Sequence, residues 1–147
     1  MSNINKVLFA YPVNYREGAS KEDQCIPSPL MHRIILGEEK TVAINIGMMI
    51  EVDENIILRA FVNPVGKYNK DDPLNNDGKF DNLQTHYISS KQVILLSTIY
   101  VEDVNFECSG MYEIKVLLLK LSSEPTKTEE IVDEIISYFY VLARSDT

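Results

Sequence analysis

The sequence predicts an all-β fold, a single antiparallel β-sandwich of about seven strands that occupies residues 1–147. In several segments apolar side chains alternate with a period of two, as half-buried strands require. Short polar stretches rich in Gly, Asn, Asp and Pro, which are typical of turns, separate these segments. The chain has 147 residues, of which 45% are apolar and 24% charged, and this composition is typical of one folded domain.

Three strands are predicted in the first third of the chain. Residues 6–13 alternate, and Pro12 restricts this strand to a sheet edge or to a strand end. Residues 14–29 show no period and are predicted to form an exposed loop. A short strand follows over residues 30–36, and a longer one covers residues 41–52.

Two pairs of neighbouring strands are predicted to form β-hairpins. The first hairpin joins residues 41–52 to residues 56–62 through the polar connection Asp53-Glu54-Asn55. The second hairpin joins the buried run 93–101 to residues 111–121, with a turn at Cys108-Ser109-Gly110.

The last segment, residues 129–144, fits two structures. Thr126 with Glu129 fits a capping box at the start of a helix. Five apolar positions also have helical spacing: Ile131, Val132, Ile135, Ile136 and Phe139. The dense aromatic and β-branched run Tyr138-Phe139-Tyr140-Val141 instead favours a strand. We predict a terminal strand over residues 135–143 that pairs with residues 111–121, and a short helix is the alternative.

The segment Ser109-Gly110-Met111-Tyr112-Glu113-Ile114 resembles the Gly-x-Tyr-x-Cys start of strand F in immunoglobulin-like β-sandwiches. The resemblance implies that the Tyr112 ring packs inside and that its hydroxyl bonds to the backbone a few residues upstream. Ile114 replaces the second cysteine, and the chain contains no Trp, so an antibody-type domain is excluded. The resemblance covers six residues and the strand rhythm; a C2-like sandwich is the alternative, and neither fold implies a function.

Charge and hydrophobicity exclude several classes of partner. The net charge of −8 and the pI near 4.7 repel phosphate backbones and anionic lipid headgroups, so we expect no nucleic acid and no membrane partner. The longest aliphatic run, residues 116–119, is far shorter than the roughly 20 residues of a membrane span. Cys25 and Cys108 are widely separated and no signal peptide is apparent, so we expect free thiols and a cytoplasmic protein.

No sequence pattern predicts catalysis or a cofactor. The chain lacks the glycine-rich phosphate-binding motifs and the Gly-x-Ser-x-Gly elbow. An EF-hand centred on Gly78 fails because Pro73 and Gln84 fall at two ligand positions. The histidines, His32 and His86, have no partner at the spacing of a zinc site. We therefore expect no enzyme, no cofactor and no metal centre.

The longest segment of loop composition covers residues 64–82, and loops of this length are often functional. His86 with Tyr87 is predicted to begin the next strand. Tyrosine suits interfaces because it combines contact area with a polar tip, so we expect tyrosines beside this loop to bind together with its carboxylates. The candidate binding residues are Tyr68, Asp71, Asp72, Asp77, Asp81 and Tyr87.

These observations predict a non-catalytic protein-binding or assembly module that uses a sheet edge or the 64–82 loop. Its partner would be another protein or a second copy of the chain, with a symmetric dimer as the first expectation. One alternative is a calcium- or glycan-binding sandwich that uses the same loop. The other is an acidic inhibitor that occupies a basic site on a protein.

Overall fold

The computed structural model describes residues 4–13, 26–66, 80–122 and 128–144, with the backbone alone at positions 32, 33, 80 and 81. Within these ranges the regular structure consists of eight strands and confirms the all-β prediction. The strands are β1 (Lys6–Val13), β2 (Leu30–Ile35), β3 (Glu39–Glu51), β4 (Ile56–Pro64), β5 (Phe80–Tyr87), β6 (Gln92–Asn105), β7 (Gly110–Leu121) and β8 (Glu129–Arg144).

The described strands form two four-stranded sheets that pack as a sandwich. The first sheet has the order β1-β3-β6-β5 and the second has the order β2-β8-β7-β4. All neighbouring strands are antiparallel except β2 and β8, which run parallel. The terminal strand β8 pairs with β7 along its length, as predicted, and the alternative of a C-terminal helix is wrong.

Both predicted hairpins are wrong, because the chain crosses between the sheets at each of these turns. Strand β3 pairs with β1 and β6, whereas β4 pairs with β7 in the opposite sheet. In the same way β6 belongs to the first sheet and β7 to the second. A short polar connection serves a hairpin and a crossing between sheets equally well, so turn composition alone did not distinguish them.

The predicted 64–82 loop is shorter at both ends than the sequence indicates. Pro64 is the last residue of β4, and β5 begins at Phe80. His86 and Tyr87 therefore end a strand, and the prediction that they begin one is wrong. Asp81 and Asn82 gave the start of β5 the composition of a turn.

The main core lies between the two sheets and draws on both of them. Its fully buried side chains include Ile44 and Ile46 of β3, Ile99 of β6, and Ile114 and Leu118 of β7. Burying one such aliphatic side chain contributes about 1.5–3 kcal/mol relative to leaving it in water. Burial of the inward-facing apolar side chains of both sheets is therefore the main source of stability for the fold.

Tyr112 occupies the corner where the chain enters β7. Its side chain is 1% exposed, and its ring packs against Phe106 and Phe139 with ring centroids 5.2 and 5.8 Å away. The Tyr112 hydroxyl donates a hydrogen bond to the carbonyl oxygen of Cys108 at 2.9 Å, which confirms the predicted bond to upstream backbone. Burial raises the pKa of Tyr112 to about 12, so the hydroxyl keeps the proton that it donates.

Candidate interaction surface

The structure places the predicted binding residues in three ways. Asp81 lies in β5, where its backbone is opposite Thr98 of β6, and its side chain is not described. Tyr87 ends β5 with a side chain 73% exposed. The other four lie outside the described residues: Tyr68, Asp71, Asp72 and Asp77. The calcium, glycan and loop-binding hypotheses thus stay predictions, as does the acidic-inhibitor hypothesis.

Two further observations concern ions and membranes. In the described ranges, no group of three or more His, Cys, Asp and Glu side chains could hold a metal ion. No helix in the same part of the chain has the length and apolar character of a membrane span. Cys108 carries an exposed free thiol, with its sulfur 3.8 Å from the Tyr112 hydroxyl.

An irregularity in β8 sets which of its side chains face outward. Leu118 of β7 pairs with Asp133, but the next residue, Leu119, pairs with Ile131, so Val132 is an extra residue in β8. Such a β-bulge shifts the alternation by one position. Val132 packs against the core and Ile131 is 56% exposed, whereas beyond the bulge the even-numbered residues face outward.

Four successive outward positions of β8 beyond the bulge carry large apolar or aromatic side chains. We call these the β8 row: Ile136, Tyr138, Tyr140 and Leu142, which are 42%, 54%, 45% and 54% exposed. An antiparallel sheet with one solvated face normally places polar side chains at such positions. At about 3.3 Å per residue, the row extends roughly 20 Å along the sheet.

Neighbouring strands widen the β8 row on both sides at Tyr140, whereas Glu113 and Lys115 of β7 lie opposite Tyr138 and Ile136. Met111 of β7 lies directly opposite Tyr140 and is 54% exposed. Leu30 of β2 pairs with Tyr140 from the other side and is 44% exposed. Because β8 lies between β2 and β7, these side chains form one patch on a sheet face and not on a sheet edge. A contiguous exposed apolar patch of this kind marks an interaction site more often than isolated exposed residues do.

On the other half of this sheet face, the outward apolar side chains are buried within the protein. Phe61, Leu117 and Leu119 point away from the main core, yet they are 3–7% exposed and form a second apolar cluster with Ile57. Arg59 of β4 forms a bidentate ion pair with Glu129 of β8, with both N···O distances 2.6 Å. Since β4 and β8 flank β7, this ion pair spans the outer side of β7.

Charged residues lie at the two ends of the β8 row. Glu134 precedes Ile136 on the outer face, and its carboxylate lies 3.7 Å from the Lys115 ammonium group. Arg144 follows Leu142 on the same face and is exposed. From Glu134 to Arg144, the outward side chains of β8 are therefore first acidic, then apolar and finally basic.

The exposure of the β8 row was not predicted from the sequence, although a signal was present. The uninterrupted run from Tyr138 to Leu142 requires both faces of a strand to be apolar. Without knowledge that β8 pairs on both sides and that one face lies outside the core, the run indicated only a buried strand.

Comparisons with known proteins add no family to these observations. No protein-family model matches the chain, and no curated protein matches it either.

Proposed function

We propose that this chain is a non-catalytic protein-binding or assembly domain and that it docks its partner on the β8 row and the adjacent Met111 and Leu30. The observation that carries the proposal is the exposure of four consecutive outward apolar side chains on one interior strand. The two tyrosines favour a protein partner, because tyrosine is enriched where interfaces bury aromatic rings and leave a polar tip.

The sheet face is a better docking surface than the edge of β1. Pro12 lacks a donor for strand addition, and the amide of Val7 already donates to Asp133 at 2.7 Å. A bulge between Val7 and Phe9 further interrupts this edge, which disfavours pairing with another strand. For the sheet face, side chains and not backbone groups would supply the contacts.

We further assign the sandwich to the immunoglobulin-like class. The order β1-β3-β6-β5 corresponds to strands A, B, E and D of that class, and β8-β7-β4 corresponds to G, F and C. The Tyr112 hydroxyl bond at the start of β7 supports the same assignment. The exposed thiol of Cys108 is compatible with the cytoplasmic location that we propose.

Oxidative footprinting of the full chain tests the docking function. Hydroxyl radicals label exposed Met and Tyr side chains, and mass spectrometry compares labelling in native cells with labelling of dilute purified protein. We expect Met111, Tyr138 and Tyr140 to be protected in cells, whereas the exposed ring of Phe9, which the radicals also label and which belongs to the other sheet, is labelled equally in both. Equal labelling of Tyr138 and Tyr140 in both samples would contradict the proposal.

A further inference from the structure

We propose that the occupant of this surface is a second copy of the chain, held in a symmetric dimer with the two β8 strands antiparallel. The inference rests on the proposed docking function and names its partner. Each copy would cover the β8 row of the other. Association of identical patches about a twofold axis is the commonest form of homo-oligomer.

The charge order along β8 makes this surface complementary to itself. Glu134 lies at one end of the outer face and Arg144 at the other, with the β8 row between them. If a second copy lies on this face in the reverse direction, Arg144 of each chain meets Glu134 of the other and shares its carboxylate with Lys115, which lies 3.7 Å away in the same chain as Glu134. Two identical ion pairs would then flank the apolar centre, where they exclude water from its rim.

A twofold axis is compatible with this arrangement and selects one direction. Two faces that meet are related by an axis lying between them, either perpendicular or parallel to β8. The perpendicular axis reverses the strand, passes near Phe139 midway between Glu134 and Arg144, and brings Tyr138 and Tyr140 of both copies to the centre. The parallel axis would place Glu134 against Glu134, and that like-charge contact is unfavourable.

The size of the surface predicts a reversible dimer. From Glu134 to Arg144 the outer face is about 33 Å long, and three strands make it about 14 Å wide, or roughly 450 Å² in projection. Protruding side chains add accessible area, but stable interfaces bury roughly 800 Å² on each partner. We therefore expect a dissociation constant in the micromolar range, on the order of 1–100 µM.

Sedimentation equilibrium of the full chain tests the dimer directly. We expect a monomer–dimer equilibrium that salt weakens, because the two flanking ion pairs lie at the rim. The variant Tyr138→Ser/Tyr140→Ser should raise the dissociation constant about tenfold or more, since central aromatic residues dominate interfaces. Ile88→Ser is the matched control and should leave the constant unchanged, because Ile88 is 58% exposed and follows β5 of the other sheet.

Charge exchange tests the antiparallel direction separately from the apolar contacts. Glu134→Arg and Arg144→Glu should each weaken association about tenfold, because each creates two like-charge contacts. The double variant Glu134→Arg/Arg144→Glu restores opposite charges across the interface and should bind more tightly than either single variant, although Lys115 of the same chain opposes full recovery. If the double variant is as weak as the singles, the antiparallel arrangement is overturned. Thermal unfolding of each variant shows whether it is folded.

The dimer and the docking function fail in distinguishable ways. A monomer at concentrations up to about 100 µM overturns the dimer. If Tyr138 and Tyr140 are nevertheless protected from oxidation in cells, the docking function stands with a different protein as partner. If they are labelled equally in cells and in dilute solution, and the protein is monomeric, both proposals are wrong.

Discussion

The backbone amide of Val7 donates a hydrogen bond of 2.7 Å to Oδ2 of Asp133, 126 residues later in the chain. Val7 belongs to β1 in the first sheet, and Asp133 lies at the bulge of β8 in the second. The bond therefore joins the two sheets at one side of the sandwich. It also satisfies a donor that an edge strand would otherwise offer to another chain.

Replacing Asp133 by Ala should expose this edge locally. The loss of a carboxylate acceptor for a partly buried amide costs about 1–3 kcal/mol of unfolding free energy. Hydrogen exchange at the Val7 amide should become faster, and Asp133→Asn, which keeps an acceptor oxygen, should show a smaller change. Unchanged exchange at Val7 in Asp133→Ala would show that the bond does not protect the edge.

Tyr112→Phe tests the contribution of the hydroxyl group at the corner of β7. Because the ring remains between Phe106 and Phe139, the main loss is the bond to the Cys108 carbonyl, about 1 kcal/mol of unfolding free energy. Denaturant unfolding measures the change. Tyr138→Phe on the exposed outer face is the control and should stay within about 0.5 kcal/mol of wild type.

Gly47 and Phe9 form a cross-strand pair in which the ring covers the glycine. A methyl group on Gly47 would overlap the Phe9 ring, so Gly47→Ala must displace this half-exposed side chain from its stack on Tyr11. We expect a loss of about 1 kcal/mol in unfolding free energy. In a Phe9→Ala background the same change should be neutral or stabilising, because it removes chain entropy from the unfolded state. Equal losses in both backgrounds would contradict the contact.

The Arg59–Glu129 ion pair predicts a pH dependence. The hydrogen bond from Arg59 holds the pKa of Glu129 below its ordinary value of 4.5, so folding favours the carboxylate. This contribution to stability is present above pH 4.5 and is lost as the pH falls through the lowered pKa. Carbon-detected NMR titration should show the Glu129 midpoint returning toward the ordinary value in Arg59→Gln. Lys115→Gln is the control and should leave that midpoint lowered.

The sequence predicted local structure closely where the pattern of residues within one segment is sufficient to specify it. The bounds of β1 were predicted as residues 6–13. Among the described strands β1 lies at the edge of its sheet, which is one of the two positions that Pro12 allows. The Tyr112 corner was also predicted, because the hydroxyl bond spans only four residues. Period-two alternation and short-range turn chemistry act within one segment, so strand bounds and local turns can be predicted from the sequence without a tertiary structure.

The pairing of strands and the outer surface were decided by the tertiary structure. The turn at Asp53-Glu54-Asn55 specifies a reversal but not the sheet that receives the next strand. That depends on the partners β6 and β7, whose paired residues lie at least 41 positions (Glu51 to Gln92) and 48 positions (Pro64 to Tyr112) further along the chain. The apolar run from Tyr138 to Leu142 specifies a strand with two apolar faces. Only the packing of β8 shows which face fills the core and which remains exposed, because burial is a property of the assembled sandwich.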